Sequence, residues 1–382
     1  MRPHIAMLAD FDTTKRPRPH RMIIALRDIA RLFVIAREAS PEAGARCFSF
    51  PAPESNAQTR TKKQNERIKA LCDSGEFAPL IYTKERAQIP ALLDSLPKLD
   101  LIIVEDIALL PFACDYKEKH ACKILVDLRE FYPLEYEDKQ WLEGLGKLFA
   151  HLCAQYLPKA DGCLCVSAPI AARYLQDFGI ASILYYSLPP YHNLTPSKTS
   201  APIRLIYHGL ISEERGSTNL LELAKELGDG YEIYCQVLSN RSDFLARFIT
   251  QADPIPNCHI LPPVSLEEII PSCNGFDIGI ISLQDTSFNN KNAMPNKLFE
   301  YIQSRLCVVA TPLDSIKEFF AHYEVGITSS DFSASSIAHA VRSLSIAQIM
   351  AYKSRAHSYA KELSLDSNAK KARQIVRDLL AK

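Results

Sequence analysis

The 382-residue sequence has no net charge, because 44 Lys and Arg residues balance 44 Asp and Glu residues. Nucleic-acid-binding proteins concentrate positive charge, so we expect no nucleic-acid partner. The sequence also lacks the ~20-residue apolar run that a membrane span needs, since runs such as residues 99–104 and 276–283 are far shorter. No secretory signal is predicted, because residues 1–9 resemble a short strand that leads directly into Asp10 and Asp12.

Disulfide and metal-binding spacings are missing as well. The chain has 11 cysteines, an odd number, and none of them form a CxxC pair. Cys163 and Cys165 alternate in the apolar segment 162–167, which is typical of a buried strand and not of a metal site. No cluster of His, Asp and Glu has the spacing of metal ligands. We therefore predict a protein of the reducing cytoplasm that uses neither a metal nor another cofactor.

What the sequence does contain is an alternation of short apolar runs with helical patterns. Hydrophobic residues make up 47% of the chain, enough for sizeable cores. Such an alternation predicts parallel sheets with helices on both faces. The predicted strands are residues 4–8, 32–36, 80–82, 101–105, 123–127, 162–167, 182–185, 203–208, 232–237, 258–261, 277–283 and 306–310.

A proline-rich segment at residues 188–202, LPPYHNLTPSKTSAP, interrupts this alternation. Prolines at this density continue neither helix nor strand. We therefore predict an α/β fold of two Rossmann-like domains, at residues 1–190 and 203–362, joined by a linker at 191–202. A helical tail follows at residues 363–382.

The most informative segment is 277–311, in which a predicted strand leads through a polar loop into a helix with Pro295, Asn296 and Lys297 in its first turn. A helix N-terminus binds anions through its unpaired amides and its dipole. Pro295 suits the first helical position, and Lys297 adds positive charge there. Glu300, one turn further, could accept hydrogen bonds from hydroxyls beside the anion. A nucleoside diphosphate has this combination of groups, although an ordinary strand-helix-strand unit remains the alternative.

The sequence PNKLFEY, followed by an apolar strand, resembles the C-terminal signature of the retaining GT-B glycosyltransferases of family 4, especially their bacterial capsule and lipopolysaccharide branch. The resemblance implies that Glu300 binds the ribose of a nucleotide sugar. It also implies that the helix start at Asn296 and the side chain of Lys297 bind the diphosphate. The first glutamate of the family's E-x7-E pair is replaced by Asn292, and Arg305 stands where glycine is usual.

Residues 203–216 resemble the strand-G-x5-[KR]-G-helix element of the same family. This implies that His208, Gly209 and Arg215 contact the donor diphosphate. Many relatives have a second basic residue after the first glycine, and here that position is Leu210. His208 or Lys297 could supply the missing contact. For Arg215 alone, a solvated surface charge is the alternative.

Two segments of the first domain resemble further motifs of this family. In IIVEDIALLPFA, Glu105 replaces the histidine of an H-D element and Asp106 is retained; in ILVDLREFYP, Arg129 replaces the histidine of a D-x-H-E element and Glu130 is retained. The resemblance implies that Asp106, Arg129 and Glu130 act as catalytic groups at the donor sugar and acceptor. Each carboxylate could instead cap a helix or pair with an arginine.

A basic loop follows the first predicted strand and contains Arg16, Arg18, His20 and Arg21. We predict that it lies on the acceptor side. There it could contact a lipid-linked anionic acceptor or an anionic membrane surface. The alternative is a run of solvated charges.

The resemblance implies a GT-B fold, with the two domains facing across a cleft and the C-terminal helix crossing back to the first domain. A plain surface helix is the alternative for the tail. The implied function is metal-independent retaining transfer of a sugar, from a UDP-sugar above all, to a surface-glycan or lipid-linked acceptor in polysaccharide or lipopolysaccharide biosynthesis. This would occur in the cytoplasm, at the inner face of the membrane if the acceptor is lipid-linked. A non-catalytic GT-B subunit that binds a nucleotide sugar or a partner, and a sugar-nucleotide epimerase, remain alternatives.

Overall fold

The computed structural model describes residues 2–54, 59–213 and 215–381. The chain forms two compact units, which we call unit 1 (Met1–Ser187 and Asn368–Lys382) and unit 2 (Leu188–Ser367). Each unit contains one parallel sheet among the described residues, as the alternation of apolar runs predicts. The prolines of 188–202 mark the division, but this segment belongs to unit 2.

Unit 1 is built on a seven-stranded sheet. Its strands are β1 (His4–Ala9), β2 (Arg31–Arg37), β3 (Ala45–Phe50), β4 (Leu101–Val104), β5 (Lys123–Leu128), β6 (Gly162–Cys165) and β7 (Ile183–Leu184). They lie in the order β3-β2-β1-β4-β5-β6-β7. The central strands are almost entirely buried, which explains their continuous apolar sequences.

In the described residues before Ser187, unit 1 contains eight α-helices. They are α1 (Pro17–Leu26), α2 (Lys62–Ser74), α3 (Ala78–Ile81), α4 (Ile89–Asp94), α5 (Leu110–His120), α6 (Lys139–Glu143), α7 (Leu145–Tyr156) and α8 (Ala168–Phe178). The predicted strand at 80–82 is wrong, because these residues belong to α3 and the turn after it. The strand β3 was not predicted; its burial is mixed, so it lacks the apolar run that marks the central strands.

Unit 2 is built on a six-stranded sheet. Its strands are β8 (Ile203–Leu210), β9 (Tyr231–Leu238), β10 (Cys258–Leu261), β11 (Ile278–Ile281), β12 (Cys307–Ala310) and β13 (Gly326–Thr328), in the order β10-β9-β8-β11-β12-β13. Its helices are α9 (Asn219–Leu227), α10 (Ser242–Ala252), α11 (Ile269–Cys273), α12 (Phe288–Lys291), α13 (Asn296–Gln303), α14 (Asp314–Tyr323), α15 (Ala334–Arg342) and α16 (Ile346–Tyr359).

The last helix, α17 (Leu365–Ala381), returns to unit 1, as the fold resemblance implies. Its apolar residues recur at helical spacing and form one stripe. They are buried in the same cluster as β1, β2 and α1, and they are Ala372, Ile375, Val376 and Leu379. The Arg373 guanidinium donates a 2.7 Å hydrogen bond to the Ala25 carbonyl. The alternative of a plain surface helix is therefore wrong.

Arg305 lies in the turn between α13 and β12 and has a φ of +61°, a conformation that favours glycine. Its fully buried guanidinium compensates for this backbone through several hydrogen bonds. It donates to the carbonyls of Gln303 at 2.5 Å and His192 at 2.6 Å, and to Nδ1 of His357 at 3.1 Å. Arg305 thus connects the 188–202 segment and α16 to the C-terminal end of α13.

Candidate functional site

The strand order of unit 2 reverses at β8, which lies between β9 and β11. Ligands of doubly wound sheets bind beyond the carboxyl ends of the strands at such a point. The chain segments that follow β8 and β11 meet there. Asn219 Nδ2 and Gln284 Nε2 each donate a 3.1 Å hydrogen bond to the Phe332 carbonyl. A Cβ on Gly216 would lie only 2.8 Å from Cγ of Gln284, so the two segments pack tightly.

Lys297 extends across the end of β8. Its ammonium nitrogen lies 3.2 Å from where a Cβ on Gly209 would be, and 4.6 Å from the centre of the Tyr207 ring. Gly209 has a φ of +101°, so both its backbone conformation and this close approach exclude a side chain. In the described parts of the chain, no carboxylate forms an ion pair with Lys297. A half-buried, unpaired cation beside open backbone is suited to bind an anion.

The helix α13 begins one residue later than predicted. Pro295 is its N-cap, with extended φ and ψ of −70° and 142°, and Asn296 is its first residue. The prediction that Pro295 occupies the first helical position is therefore wrong, while the helix start at Asn296 is confirmed. The Pro295 carbonyl accepts a hydrogen bond from the amide of Leu298, and no side chain caps the helix. The start of α13 next to Lys297 thus retains donors for an anion.

Behind Lys297, Glu300 and His208 are buried side by side, with Oε2 and Nε2 3.4 Å apart. The Tyr301 hydroxyl fixes α13 against the sheet, since it lies 3.2 Å from the Ile206 carbonyl and accepts a 3.4 Å hydrogen bond from the His208 amide. Burial, and then the charge of Lys297, lower the pKa of His208 to about 3. Its ring is therefore neutral near pH 7 in this structure, and Lys297 is the cation at the end of β8.

Arg215 lies on the loop between β8 and α9, and its side chain is exposed. Its amide donates a 3.3 Å hydrogen bond to the Ser212 hydroxyl. Ser217 does not cap α9 but accepts a 3.1 Å hydrogen bond from the Ser212 amide, and Thr218 makes no side-chain cap either. The structure therefore groups His208, Gly209, Lys297 and Glu300, with Arg215 on the neighbouring loop.

In unit 1 the strand order reverses at β1, and carboxylates follow both β1 and β4. Asp10 accepts a 2.6 Å hydrogen bond from the Arg86 guanidinium. Asp106 Oδ2 lies 4.0 Å from Nη2 of Arg129. Burial, and then the charge of Asp10, raise the pKa of Asp106. Asp106 also caps a single 3-10 turn by accepting a 3.0 Å hydrogen bond from the Ala108 amide. The predicted catalytic carboxylate thus has a structural role as well.

Arg129 and Glu130 follow β5 and differ in their surroundings. The Arg129 Nε donates a 3.0 Å hydrogen bond to the Glu105 carbonyl, and its guanidinium lies 4.6 Å from the Phe11 ring centre. Glu130 is exposed, and its carbonyl accepts a 2.8 Å hydrogen bond from the Tyr174 hydroxyl. Asp106 and Arg129 therefore form a pair, and Glu130 is exposed directly after Arg129 in the chain.

Arg18 contradicts the prediction that it faces an acceptor. Its guanidinium is buried and binds Asp127 in a bidentate pair, at 2.6 Å for both bonds, and it also donates to the Tyr185 carbonyl. Glu105 is fully buried beside this pair, and its carboxyl oxygens have no hydrogen-bond partner among the described residues. Burial, and then the charge of Asp127, raise the pKa of Glu105 to about 8. The Arg18–Asp127 pair thus lies inside unit 1 and does not face an acceptor.

The prediction of a basic loop is wrong for most of these residues, because Arg18, His20 and Arg21 belong to α1 and Arg16 is its N-cap. The cations other than Arg18 are divided between internal contacts and solvent. His20 Nδ1 lies 2.7 Å from Glu42 Oε1, and Arg21 donates a 2.7 Å hydrogen bond to the Ser187 carbonyl. Arg16 is exposed, with its guanidinium 5.5 Å from the Phe11 ring centre. Only part of the predicted acceptor-side charge is thus available at the surface.

Neither a metal cluster nor a membrane span is found in the described ranges. Residues 2–54, 59–213 and 215–381 contain no group of three or more His, Cys, Asp or Glu side chains able to hold a metal ion. Within the same ranges, no helix has the length and apolar character required to cross a membrane.

The two parallel sheets and the returning helix define a GT-B fold. No protein-family model matches the sequence, and no curated protein matches it. The fold resembles HepE of Anabaena, solved with UDP-glucose, at 12% identity and a TM-score of 0.71 over 98% of this chain and 100% of that chain. A glycosyltransferase of Rickettsia africae matches at 13% identity and 0.68, over 100% and 99%. Sucrose-phosphate synthase of Thermosynechococcus elongatus matches at 11% identity and 0.70, over 100% of both chains.

Several residues near these sites could not be found from the sequence. No sequence pattern indicates that Gln284 lies at the site, because polar residues after strands are common. Asp10 does follow the first strand, which is where a functional carboxylate is expected. Its partner Arg86 lies in a 3-10 turn about 75 residues away, and only folding brings the two together.

Proposed function

We propose that the protein is a glycosyltransferase that uses a nucleotide sugar as donor, a UDP-sugar above all. The observation that carries the proposal is the arrangement in unit 2, where the unpaired Lys297 ammonium lies over Gly209 beside the uncapped start of α13. The solved structures of HepE with UDP and with UDP-glucose support it, because they combine the same fold with this class of ligand.

In this proposal the donor diphosphate binds at Lys297, the first amides of α13 and Arg215. Negative charge grows on the diphosphate as the glycosidic bond breaks, so fixed cations and amides there stabilise the transition state. This supports transfer without a metal. Glu300 would accept hydrogen bonds from the ribose hydroxyls, from its position one turn into the helix. Asp106, Arg129 and Glu130 are the candidates in unit 1 for contact with the donor sugar and acceptor.

Retention of anomeric configuration and a glycan or lipid-linked acceptor of polysaccharide or lipopolysaccharide synthesis belong to the proposal through the sequence resemblance. Contact with an anionic membrane would rest on Arg16, the exposed arginine of the basic loop. NMR of the product's anomeric proton would decide between retention and inversion.

A non-catalytic nucleotide-sugar-binding subunit is the second candidate. The observation that favours it is Glu105, which replaces the motif histidine and is fully buried, so that its side chain is not exposed to a ligand. A sugar-nucleotide epimerase is the third candidate, and it would need its own pair of acid-base carboxylates.

A thermal-shift comparison of UDP, GDP and CMP tests the proposal first. A ligand at 100 times its dissociation constant stabilises the folded state by about 2.7 kcal/mol, and we expect UDP to have the largest effect. UDP-sugars are then incubated without acceptor and the products analysed. Slow hydrolysis supports the transferase, an altered sugar supports the epimerase, and UDP binding without turnover supports the non-catalytic subunit. If no nucleotide stabilises the protein, all three are wrong.

A further inference from the structure

Unit 1 contains a cavity of about 1330 Å³, and none of its described lining residues belongs to the proposed donor site in unit 2. The described residues that line it all lie between Asp10 and Phe149, so it belongs to unit 1 alone. Asp10 and Asp106, at the carboxyl ends of β1 and β4, are among them. Pockets of about 300–1,000 Å³ hold drug-sized ligands. This cavity therefore has room for a ligand of several sugar rings.

One wall of the cavity is aromatic. Trp141 stacks on Phe149 with ring centres 5.3 Å apart and an angle of 20°, and Tyr136 meets Trp141 edge-on at 5.1 Å. Trp141 Nε1 donates a 3.1 Å hydrogen bond to the Pro133 carbonyl, which fixes the indole. All three rings remain partly exposed. Such rings offer rigid apolar surface to a ligand while keeping polar edges, which suits the apolar face of a sugar.

Carboxyl groups line the same cavity and could bind hydroxyl groups. Asp106 and Glu135 are both among its lining residues. Burial, and then the charges of Glu130 and Asp106, raise the pKa of Glu135 to about 8. Near neutral pH Glu135 can therefore donate a hydrogen bond. Sugar hydroxyls both donate and accept hydrogen bonds, so Glu135 as a donor and the other carboxyl groups as acceptors can bind them.

Most of the cations among the described lining residues form ion pairs with carboxylates, and Arg60 does not. The matched ones are Arg37 and Arg86 with Asp10, Lys62 with Glu66, and Lys69 and Lys139 with Glu143. Arg60 makes no hydrogen bond or ion pair with any residue in the described ranges. It is half-buried, and burial lowers the pKa of its guanidinium. A desolvated cation without a partner is costly unless a ligand supplies the negative charge.

We propose that this cavity binds the acceptor, and that the acceptor is an oligosaccharide with a carboxylate or phosphate that pairs with Arg60. Sugar rings would pack on Trp141 and its aromatic neighbours, and the hydroxyls would bind the carboxyl groups near Asp106. The role as acceptor rests on the proposed function. The binding of an acidic saccharide does not, because every group invoked lies in unit 1.

The chain offers a direct readout, because Trp141 is its single tryptophan. Intrinsic fluorescence is titrated with cellotetraose and with a β-1,4-linked tetramer of glucuronic acid, which differs from it in the oxidation of C6. We expect the acidic tetramer to change the fluorescence at a concentration at least tenfold lower than cellotetraose. Glucose 6-phosphate, compared with glucose, tests whether phosphate can replace the carboxylate.

Arg60→Gln should weaken the acidic tetramer about tenfold or more and leave cellotetraose unchanged, because it removes one charge-assisted contact. Arg67→Gln is the matched control, since Arg67 is exposed on α2 and does not line the cavity. Equal affinity for both tetramers in the unmodified protein, no fluorescence change with either, or equal losses in the two variants would each overturn the proposal.

Two further measurements keep the outcome interpretable. Far-UV circular dichroism and urea unfolding show whether Arg60→Gln remains folded, and the cellotetraose titration shows whether the aromatic wall is intact. Calorimetry with UDP on the same preparations tests the nucleotide site. A protein that binds UDP but not the acidic tetramer refutes the cavity assignment alone. One that binds the tetramer but not UDP refutes the proposed function and the role of the saccharide as acceptor, and leaves the saccharide site itself supported.

Discussion

Replacement of Lys297 by methionine is the sharpest test of the nucleotide site. Methionine retains most of the apolar stem that lies over Gly209 and Tyr207, so the change removes chiefly the charge. A pair of unit charges 4 Å apart interacts by about 4 kcal/mol at an effective dielectric constant of 20. Partial solvation of the half-buried ammonium reduces the net contribution to about 1.5–3 kcal/mol. We therefore expect the dissociation constant for UDP to rise about 10- to 150-fold.

Isothermal titration calorimetry with UDP and with uridine shows whether Lys297 contacts the phosphates or whether its replacement alters the whole nucleotide site. Uridine lacks the diphosphate, so its affinity should stay nearly unchanged in Lys297→Met. Lys291→Met is the control: Lys291 is an exposed cation of α12, 3.6 Å from Asp314, and its loss should affect neither ligand. Equal weakening of UDP and uridine in Lys297→Met would mean that Lys297 supports the fold and does not contact phosphate.

Four further predictions follow from the same geometry. Arg215→Ala should weaken UDP binding by only about 1 kcal/mol, because the side chain of Arg215 is exposed. Calorimetry measures this loss, and a clearly larger one would contradict the prediction. Glu300→Gln should weaken UDP but not its 2′,3′-dideoxy analogue; equal losses would make Glu300 structural. Asp127→Asn leaves the Arg18 guanidinium buried without its charge partner, so urea unfolding should show a loss of about 3–5 kcal/mol. Glu105 has a folded-state pKa of about 8, above its unfolded value, so the wild type should lose stability from about pH 5 to pH 8. The stability of Glu105→Gln relative to the wild type should therefore rise over this range, and a constant difference would contradict the assignment.

The sequence predicted the parallel sheets because their central strands are short continuous apolar runs, as in β4 and β12. It failed where that signal is absent. Strand β3 is only partly buried and lacks a clear pattern, and α3 was mistaken for a strand because four apolar residues in succession fit either element.

Site residues were predictable where local spacing determines the geometry. Lys297 and Glu300 are one helical turn apart, and Gly209 marks a close backbone approach. Pairing across the fold was not predictable. Arg18 lies in a run of cations that resembles a solvated loop, yet its partner Asp127 is 109 residues away. In the same way, the sequence gives no sign that Arg60 is half-buried and unpaired, because its environment comes from distant elements.

The return of α17 to unit 1 has a consequence for how the protein is made. Its buried stripe completes a core whose other members come mainly from β1, β2, β4, β5, β6 and α1. On the ribosome, residues 188–367 are synthesised between these two parts of unit 1, which takes roughly 10–35 s at 5–20 residues per second. During that time unit 1 exposes apolar surface where α17 will bind, and unit 2 becomes complete in sequence before the last segment of unit 1 is made. We therefore expect unit 2 to finish folding first, and the nascent N-terminal half of the chain to be the part that engages chaperones.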